Sequence, residues 1–294
     1  MSKFSNALAD QLALLNKPVV TAIDVYRAID EMHLPENREG LYLRQTKPEE
    51  HHYTKYAKQL FGRHGISPTP RQGVWRVSTI PALLPEEMVC LSDPFLYVSH
   101  LSAMRTWQLT NRIPKALTFT RLRAALIKEK LLADCPPQWP QPVIPLTTRN
   151  IGRFSDLNIE ATIAIMETKT PSPTIELGGS HTRVTTQAAT FVDMIKKPSL
   201  CGGMNHVLDI FDQEYRQRGR RLHSDVVRLI DADDTPAIVK VRAGYILSER
   251  LGMTSETIDR WTHYAARGGS RKLDPERGYK PTFSEKWMIS LNVE

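Results

Sequence analysis

The sequence has few cysteines, and their positions exclude a disulfide-stapled scaffold. Its 294 residues include three, Cys90, Cys135 and Cys201, which are odd in number and widely separated. Disulfide frameworks use even numbers of cysteines in short chains, and cysteine zinc sites use Cys-x-x-Cys pairs. Because neither pattern is present, we expect free thiols in a reducing, cytoplasmic environment.

Long apolar runs are also missing. No stretch approaches the roughly 20 apolar residues that a membrane helix needs. The first 15 residues, MSKFSNALADQLALL, lack the apolar core and small-residue cleavage site of a secretory signal. We therefore expect a cytoplasmic protein with no membrane partner.

Several catalytic patterns are absent as well. The nine histidines form neither His-x-x-x-His nor His-Glu-x-x-His, which argues against zinc, and no Gly-x-x-x-x-Gly-Lys phosphate loop occurs. Ser99 and His100 are adjacent, so on a helix they should face different directions and not form a nucleophile and base. The sequence thus predicts a protein that is not an enzyme and that uses no metal or cofactor.

Chain length and net charge indicate the number of domains and the class of partner. The length allows two domains, and 41% hydrophobic residues are enough for real cores. There are 39 Lys and Arg against 32 Asp and Glu, a formal charge of +7. This excess favours polyanionic partners without requiring them.

Residues 49 to 79 predict an amphipathic helix followed by a basic hairpin. Glu49 and Glu50 suit a helix start, and Gly65 suits its end. Strands are predicted at 67–69 and 74–78. The apolar side of the helix repeats at three- and four-residue spacing in Tyr53, Tyr56, Ala57, Leu60 and Phe61. Helix followed by basic hairpin is typical of the last part of a winged helix.

Two earlier helices complete this prediction. One runs from Ser2 or Ser5 to before Pro18, and the next begins at Thr21, with Asp24 as the reciprocal carboxylate of its cap. The connection from 33 to 48 is long for a standard turn, and we predict that a short strand at 41–44 pairs with the hairpin. The predicted fold is α+β, with a winged helix-turn-helix at 1–79 and a larger, helix-rich domain with a small β-sheet at 80–294.

Polar and cationic side chains occupy the other side of the helix at 49–64. Such groups bind base edges and phosphates, although a hydrated helix surface has the same composition. We predict double-stranded DNA as the partner, with groove contacts from Tyr53, Thr54, Lys55, Lys58 and Gln59. Phosphate or minor-groove contacts are predicted from Arg63, Arg71, Gln72 and Arg76, and extra phosphate contacts from Arg218, Arg220 and Arg221.

The second domain, together with GVWRVS of the predicted hairpin, resembles a known family in several ordered segments. They are GVWRVS, YVSHLSAMRTWQLT, RVTTQAATFVDMIKKPSLCGG, RAGYILSERLG, and the closing LDP with KWMISLNV, which together span most of residues 73 to 294. In order and spacing these segments resemble the AbiEi antitoxins of type IV abortive-infection toxin–antitoxin pairs.

This resemblance implies a function. Proteins of that family join a winged-helix DNA-binding domain to a larger C-terminal domain, repress their own operon at promoter repeats, and counter a nucleotidyltransferase-like toxin encoded beside them. The resemblance therefore implies a transcriptional repressor that acts as an antitoxin in phage defence. It does not require that the antitoxin touch the toxin.

Two alternatives use the same sequence differently. Asp156, Glu167 and Lys169 fit the carboxylate pair and lysine of a metal-dependent DNA nuclease, although charged residues at a strand end are common. A winged helix that serves only as a protein-binding scaffold would show no salt-sensitive DNA affinity.

Overall fold

The structure is a computed structural model, and it confirms the α+β class. It describes residues 3–38, 40, 41, 43, 45–63, 65–69, 72–81, 84–140, 151–154, 159–218, 220–232, 234–266 and 271–293, with backbone alone at 151–154, 159, 160, 218, 220 and 221. None of the helices in these ranges combines the length and apolarity needed to cross a bilayer.

Short helices and strands are interspersed along the whole chain. They are α1 Lys3–Leu14, β1 Val19–Thr21, α2 Ala22–Met32, α3 Glu50–Gln59, β2 Ile66–Pro68, β3 Val74–Val77, α4 Pro85–Ser92, β4 Tyr97–Val98, α5 His100–Thr106, β5 Leu117–Leu122, α6 Ala124–Asp134, β6 Ile151–Phe154, β7 Ile159–Thr168, β8 Thr174–Glu176, β9 Arg183–Thr185, α7 Gln187–Lys196, α8 Met204–Arg218, α9 Arg220–Ile230, α10 Ala237–Gly244, α11 Glu256–Arg260, β10 Phe283–Ser284 and β11 Ile289–Ser290. Single turns of 3₁₀ or π-helix lie at Pro35–Asn37, Pro198–Cys201, Tyr245–Arg250 and Trp261–Tyr264.

The chain forms two compact units. The first contains Met1–Val98, Phe119–Pro171 and Glu176–Arg183, and the second contains Ser99–Thr118, Ser172–Ile175 and Val184–Glu294. The predicted domain boundary between residues 79 and 80 falls inside the first unit, in which α4 packs on β1.

Three strands near the N-terminus form an antiparallel sheet in the order β1-β3-β2. Val20 pairs with Trp75, and Ser67 pairs with Arg76. The hairpin predicted at 67–69 and 74–78 is confirmed, with every strand end within one residue of its predicted position. The sheet is small, and α1, α2 and α3 supply the helices that pack beside it.

The third strand of this sheet differs from the prediction. It is β1, whose fully buried Val19 and Val20 are the β-branched residues that favour strands. Leu41 and Leu43, within the predicted strand at 41–44, instead pack on the core from a loop, while Tyr42 and Arg44 lie outside the described residues. The prediction of a strand at 41–44 is therefore wrong for the residues the structure describes.

The start of α2 confirms the predicted cap. The Asp24 carboxylate accepts hydrogen bonds of 2.8 Å from both the backbone N–H and the hydroxyl of Thr21. Lys17 donates to the other oxygen of Asp24 at 2.7 Å. These contacts satisfy donors at the helix start and fix the turn from β1 into α2.

Two further sheets lie in the part of the chain that the structure describes. One has six strands in the order β6-β7-β5-β4-β9-β8, and the other pairs β10 with β11. The second unit has its own core of helices, in which Phe191, Phe211, Trp261 and Trp287 are almost fully buried. The sequence of residues 286–294, KWMISLNVE, favours one apolar strand. The structure has a shorter strand there, β11, which forms a hairpin with β10. Trp287 lies before β11 and is buried in the core.

Candidate nucleic-acid interface

Helix α3 begins with a reciprocal cap that involves a histidine. The backbone N–H of Glu49 donates to Nδ1 of His52 at 3.0 Å, and the backbone N–H of His52 donates to the Glu49 carbonyl at 2.9 Å. Burial lowers the pKa of His52, and nearby His51 lowers it further. The ring is therefore neutral near pH 7, with its Nδ1 lone pair held by Glu49.

The inward side of α3 follows the predicted three- and four-residue spacing. Tyr53, Tyr56, Ala57 and Leu60 are buried. Phe61 is 71% exposed, contrary to the prediction, because the helix ends at Gln59 and the chain has already turned. The stripe thus fixes how α3 faces its core and which residues remain outside.

Tyr53 belongs to this core and not to a contact surface. Its ring is fully buried, and its hydroxyl donates to the carboxylate of Asp30 on α2. Burial raises the pKa of Tyr53, and the Asp30 hydrogen bond raises it further. The predicted groove contact by Tyr53 is therefore wrong, because its side chain joins α3 to α2.

The outward side of α3 carries Thr54, Lys55 and Lys58, all exposed. With Glu49, Glu50, His51 and Gln59 they line one shallow depression, which we call the α3 surface. Gln59 is half-buried, and its side-chain oxygen accepts a 2.6 Å hydrogen bond from the Ser5 hydroxyl. The structure thus brings four of the five predicted groove residues onto one surface, together with two carboxylates.

The residues predicted to contact phosphates differ in exposure and in their partners. Arg63 is half-buried, and its guanidinium donates to the Gln59 carbonyl at 2.6 Å and to the Asn6 side chain. Gln72 is exposed in the turn before β3, and Arg76 is half-buried within β3. Arg71 lies outside the described residues.

The more distant basic cluster is described by its backbone alone. Arg218 ends α8, while Arg220 and Arg221 begin α9. Their extra phosphate contacts remain a prediction.

Of the three residues of the nuclease alternative, the structure describes Glu167 and Lys169. Glu167 accepts a hydrogen bond of 3.2 Å from Arg121, whose guanidinium also lies 3.4 Å from Asp93. The Glu167 carboxylate thus helps to neutralise a buried cation. Lys169 is exposed, and Asp156 lies outside the described residues.

Ser99 and His100 contradict the expectation that their side chains diverge. Ser99 Oγ lies 2.9 Å from His100 Nδ1. His100 adopts φ = +52°, a left-handed conformation that turns its ring back towards Ser99. Both side chains are buried, and burial lowers the pKa of His100 to about 3. A hydroxyl at 0% exposure cannot meet a substrate without rearrangement, so the pair is better explained as structure at the start of α5.

Asp193, which is buried on α7, accepts a hydrogen bond from the backbone N–H of His100. This contact supports the residue with the left-handed conformation.

Three side chains that can act as metal ligands lie together at the start of α3. One ligand atom from each of Glu49, His51 and His52 lies within 4.8 Å of the others. His51 Nδ1 is 3.4 Å from Glu49 Oε2, and the two imidazole centroids are 3.9 Å apart. Spacing rules missed this set because Glu-x-His-His has no regular helical period. The available signal was two adjacent histidines just after a helix-starting carboxylate.

The first unit also contains a cavity of about 570 Å³ beside α2 and α6. Charged pairs occupy part of its wall, including Lys17 with Asp24 at 2.7 Å. Asp30, also in the wall, accepts the Trp139 indole N–H at 2.8 Å. These contacts explain the polar wall without a ligand.

Comparison with known proteins does not assign this chain to a family. No protein family model matches the sequence, and no curated protein matches it. The chain is similar to the crystal structure of RV2827C protein from Mycobacterium tuberculosis, with a TM-score of 0.47 and 11% identity over 96% of this chain and 90% of that one.

Proposed function

We propose that this protein is a sequence-specific DNA-binding antitoxin that represses its own operon and counters a nucleotidyltransferase-like toxin. The observation that carries the DNA-binding half is the arrangement around α3. Helices and strands follow in the order α1-β1-α2-α3-β2-β3, the sheet has the order β1-β3-β2, and α3 turns Thr54, Lys55 and Lys58 outward. This order is typical of a winged helix, which supports the proposal that α3 is its recognition helix.

The chemistry of the α3 surface fits a duplex. A major groove about 12 Å wide admits one helix, and hydroxyl, amide and ammonium groups bind base edges and phosphates. The proposed groove contacts are those of Thr54, Lys55, Lys58 and Gln59, because Tyr53 is buried in the core. Glu49 and Glu50 oppose phosphates, so they favour an approach in which the cationic part of α3 lies closest to the backbone.

The hairpin supplies the second part of the interface. Gln72 and Arg76 lie at its turn and on β3, and Arg71 is adjacent in sequence. Arg63 connects the end of α3 to Asn6 of α1, so it positions the helix as well as adding positive charge. Arg218, Arg220 and Arg221, in the second unit, are proposed to add phosphate contacts.

The antitoxin half of the proposal rests on the resemblance to the AbiEi family. Repression acts through the promoter, and antitoxin activity acts through the larger C-terminal part. The partners are the operon's own double-stranded DNA and the product of a neighbouring nucleotidyltransferase-like gene. The proposal places both activities in the cytoplasm.

Charge reversal on α3 tests the DNA-binding half. Lys55→Glu and Lys58→Glu should each weaken binding to the operon's upstream DNA by roughly tenfold or more at low salt, and each should lower the salt slope by about one. Lys115→Glu is the matched control, because Lys115 is exposed in the second unit. Gel shifts across a salt series measure all three.

Unchanged DNA binding by the α3 variants would contradict the DNA-binding half. If Lys55→Glu and Lys58→Glu bind the upstream DNA as tightly as the unaltered protein, α3 is not the recognition helix. Rescue of growth by the full-length chain, when the neighbouring toxin gene is co-expressed, would support the antitoxin half. Absence of rescue by the full-length chain would contradict it.

A further inference from the structure

We propose that Glu49, His51 and His52 form a binding site for one divalent transition-metal ion, of the Zn²⁺, Co²⁺ or Ni²⁺ type, at the start of α3. The cluster unites two imidazoles and a carboxylate within 4.8 Å. Imidazole nitrogens select this class of ion over Mg²⁺ and Ca²⁺, which prefer oxygen ligands.

The spacing of the ligand atoms suits such an ion. Two ligands of a tetrahedral ion with bonds of about 2.1 Å lie about 3.4 Å apart. Glu49 Oε2 and His51 Nδ1 are already 3.4 Å apart. Both of these side chains are more than 60% exposed, so they can adjust around an ion without disturbing the core. Three protein ligands leave further coordination positions for water or an incoming anion.

The local charge also favours a cation. Glu49 and Glu50 place two carboxylates at the same helix start, and the α3 surface is open there. These charges oppose the positive end of the helix dipole, which alone would repel a metal ion. Lys55, one turn further along α3, has a long side chain that can turn away from the ion.

Binding has a specific structural consequence at His52. Its Nδ1 accepts the Glu49 N–H, so the proton of the neutral ring is on Nε2. If Nε2 bound the ion, the proton would move to Nδ1 and would face the Glu49 N–H, donor against donor. If Nδ1 bound the ion, it would lose the same hydrogen bond. Either way, the metal ion and the helix cap compete for His52.

This competition couples the ion to α3. Coordination by three ligands provides more free energy than the loss of a helix cap costs. The ion would therefore replace the cap and reset the first turn, next to Thr54 and Lys55. It would also change the charge of the α3 surface by two units. Where α3 is the recognition helix, as we propose above, metal ions should raise DNA affinity.

Metal binding is tested first without DNA, on full-length protein that carries no affinity tag and has been stripped with chelator. Co²⁺ titration followed by visible absorption, and Zn²⁺ titration by calorimetry, should both show one ion per chain. His51→Gln and His52→Gln should each weaken binding by about tenfold or more, since each removes one of three ligands. In the amide NMR spectrum, the Glu49 resonance should shift with saturation.

His181→Gln is the matched control. His181 Nδ1 lies 2.9 Å from Glu176 Oε1, so this site has a similar histidine–carboxylate pair without the second histidine. Its substitution should leave the affinity unchanged. Circular dichroism of every variant checks that the helices remain folded.

Several outcomes would overturn the proposal. No saturable 1:1 binding of Co²⁺ or Zn²⁺ would do so, as would unchanged affinity in His51→Gln and His52→Gln together. Loss in only one variant would exclude the three-ligand site. Because these titrations contain no DNA, a protein that binds the ion at these residues but not the duplex would refute the proposed function and leave the metal site standing.

Discussion

The buried hydroxyl of Tyr53 donates a hydrogen bond to the carboxylate of Asp30. The other carboxylate oxygen accepts the indole N–H of Trp139 at 2.8 Å. Asp30 thus connects α2 to α3 and to the segment after α6, all within the first unit. A single carboxylate satisfies two donors that would otherwise be buried without partners.

Substitution of Asp30 should destabilise the first unit more than substitution of Tyr53. Asp30→Ala leaves the Tyr53 hydroxyl and the Trp139 indole unsatisfied, and each such donor costs about 1–3 kcal/mol. Tyr53→Phe removes one hydrogen bond but keeps the ring in the core, so it should cost about 0.5–1.5 kcal/mol. Urea unfolding followed by tryptophan fluorescence measures both changes. Equal losses in the two variants would show that Asp30 does not serve both donors.

Two neighbouring groups in the second unit should give opposite pH dependences. Burial raises the pKa of Asp193 from 3.8 to about 7, although Lys196 and the His100 backbone N–H oppose the shift. Burial lowers the pKa of His100 from 6.5 to about 3. As pH rises from 3.8 towards 6.5, the unfolded chain loses the Asp193 proton that the folded chain keeps, which reduces stability. Over the same range His100 is protonated in the unfolded chain and neutral in the folded chain. Rising pH removes that proton from the unfolded chain, so this group makes the folded state more stable as pH rises.

Asp193→Asn should separate these effects. The amide still accepts the His100 N–H but does not ionise. The stability of the variant relative to the unaltered protein should therefore rise by up to about 1.4 kcal/mol per pH unit between pH 4 and 7, and should be constant above pH 7. Free energies of unfolding measured from pH 4 to 8 give this difference, in which other ionisable groups cancel. A pH-independent difference would mean that Asp193 is ionised throughout.

Local chemistry is predictable where neighbouring residues determine it. The Thr21–Asp24 cap and the inward stripe of α3 depend on fixed short spacings, and the structure confirms the cap and every member of the stripe except Phe61. The outer set on α3 follows from the same stripe. The spacing places the Tyr53 ring on the inward side. Its partner Asp30, 23 positions away, shows that the hydroxyl is also used within the core and not in a groove contact.

Features set by unusual backbone or distant pairing are not predictable in this way. The left-handed φ of His100 reverses the expected direction of its ring. Histidine is enriched in that conformation, but the residue type alone does not identify which histidine adopts it. The pairing of β1 with β3 joins Val20 to Trp75, a partner that local periodicity does not identify. The Glu49–His51–His52 cluster depends on the cap geometry at the start of α3, which brings adjacent histidines together.

Gly244 is the position in the second unit where an added methyl group should be least tolerated. A Cβ built there would lie 2.1 Å from the Trp287 ring, whose indole N–H donates to Ser248 at 3.0 Å. Trp287 is fully buried and cannot retreat without breaking that hydrogen bond or opening the core. Overpacking of this kind costs about 1–3 kcal/mol, and the severity of the overlap places Gly244→Ala at or above the upper end.

Gly278→Ala is the matched control for this substitution, because a Cβ there meets nothing within 4 Å and the backbone is not left-handed. Thermal and urea unfolding of both variants should show a large loss for Gly244→Ala and little change for Gly278→Ala. Combining Gly244→Ala with Trp287→Phe removes part of the ring that the methyl group meets, so the double variant should lose less than the sum of the two single losses. Strict additivity would show that the added methyl group is accommodated elsewhere and that Trp287 does not require glycine at this position.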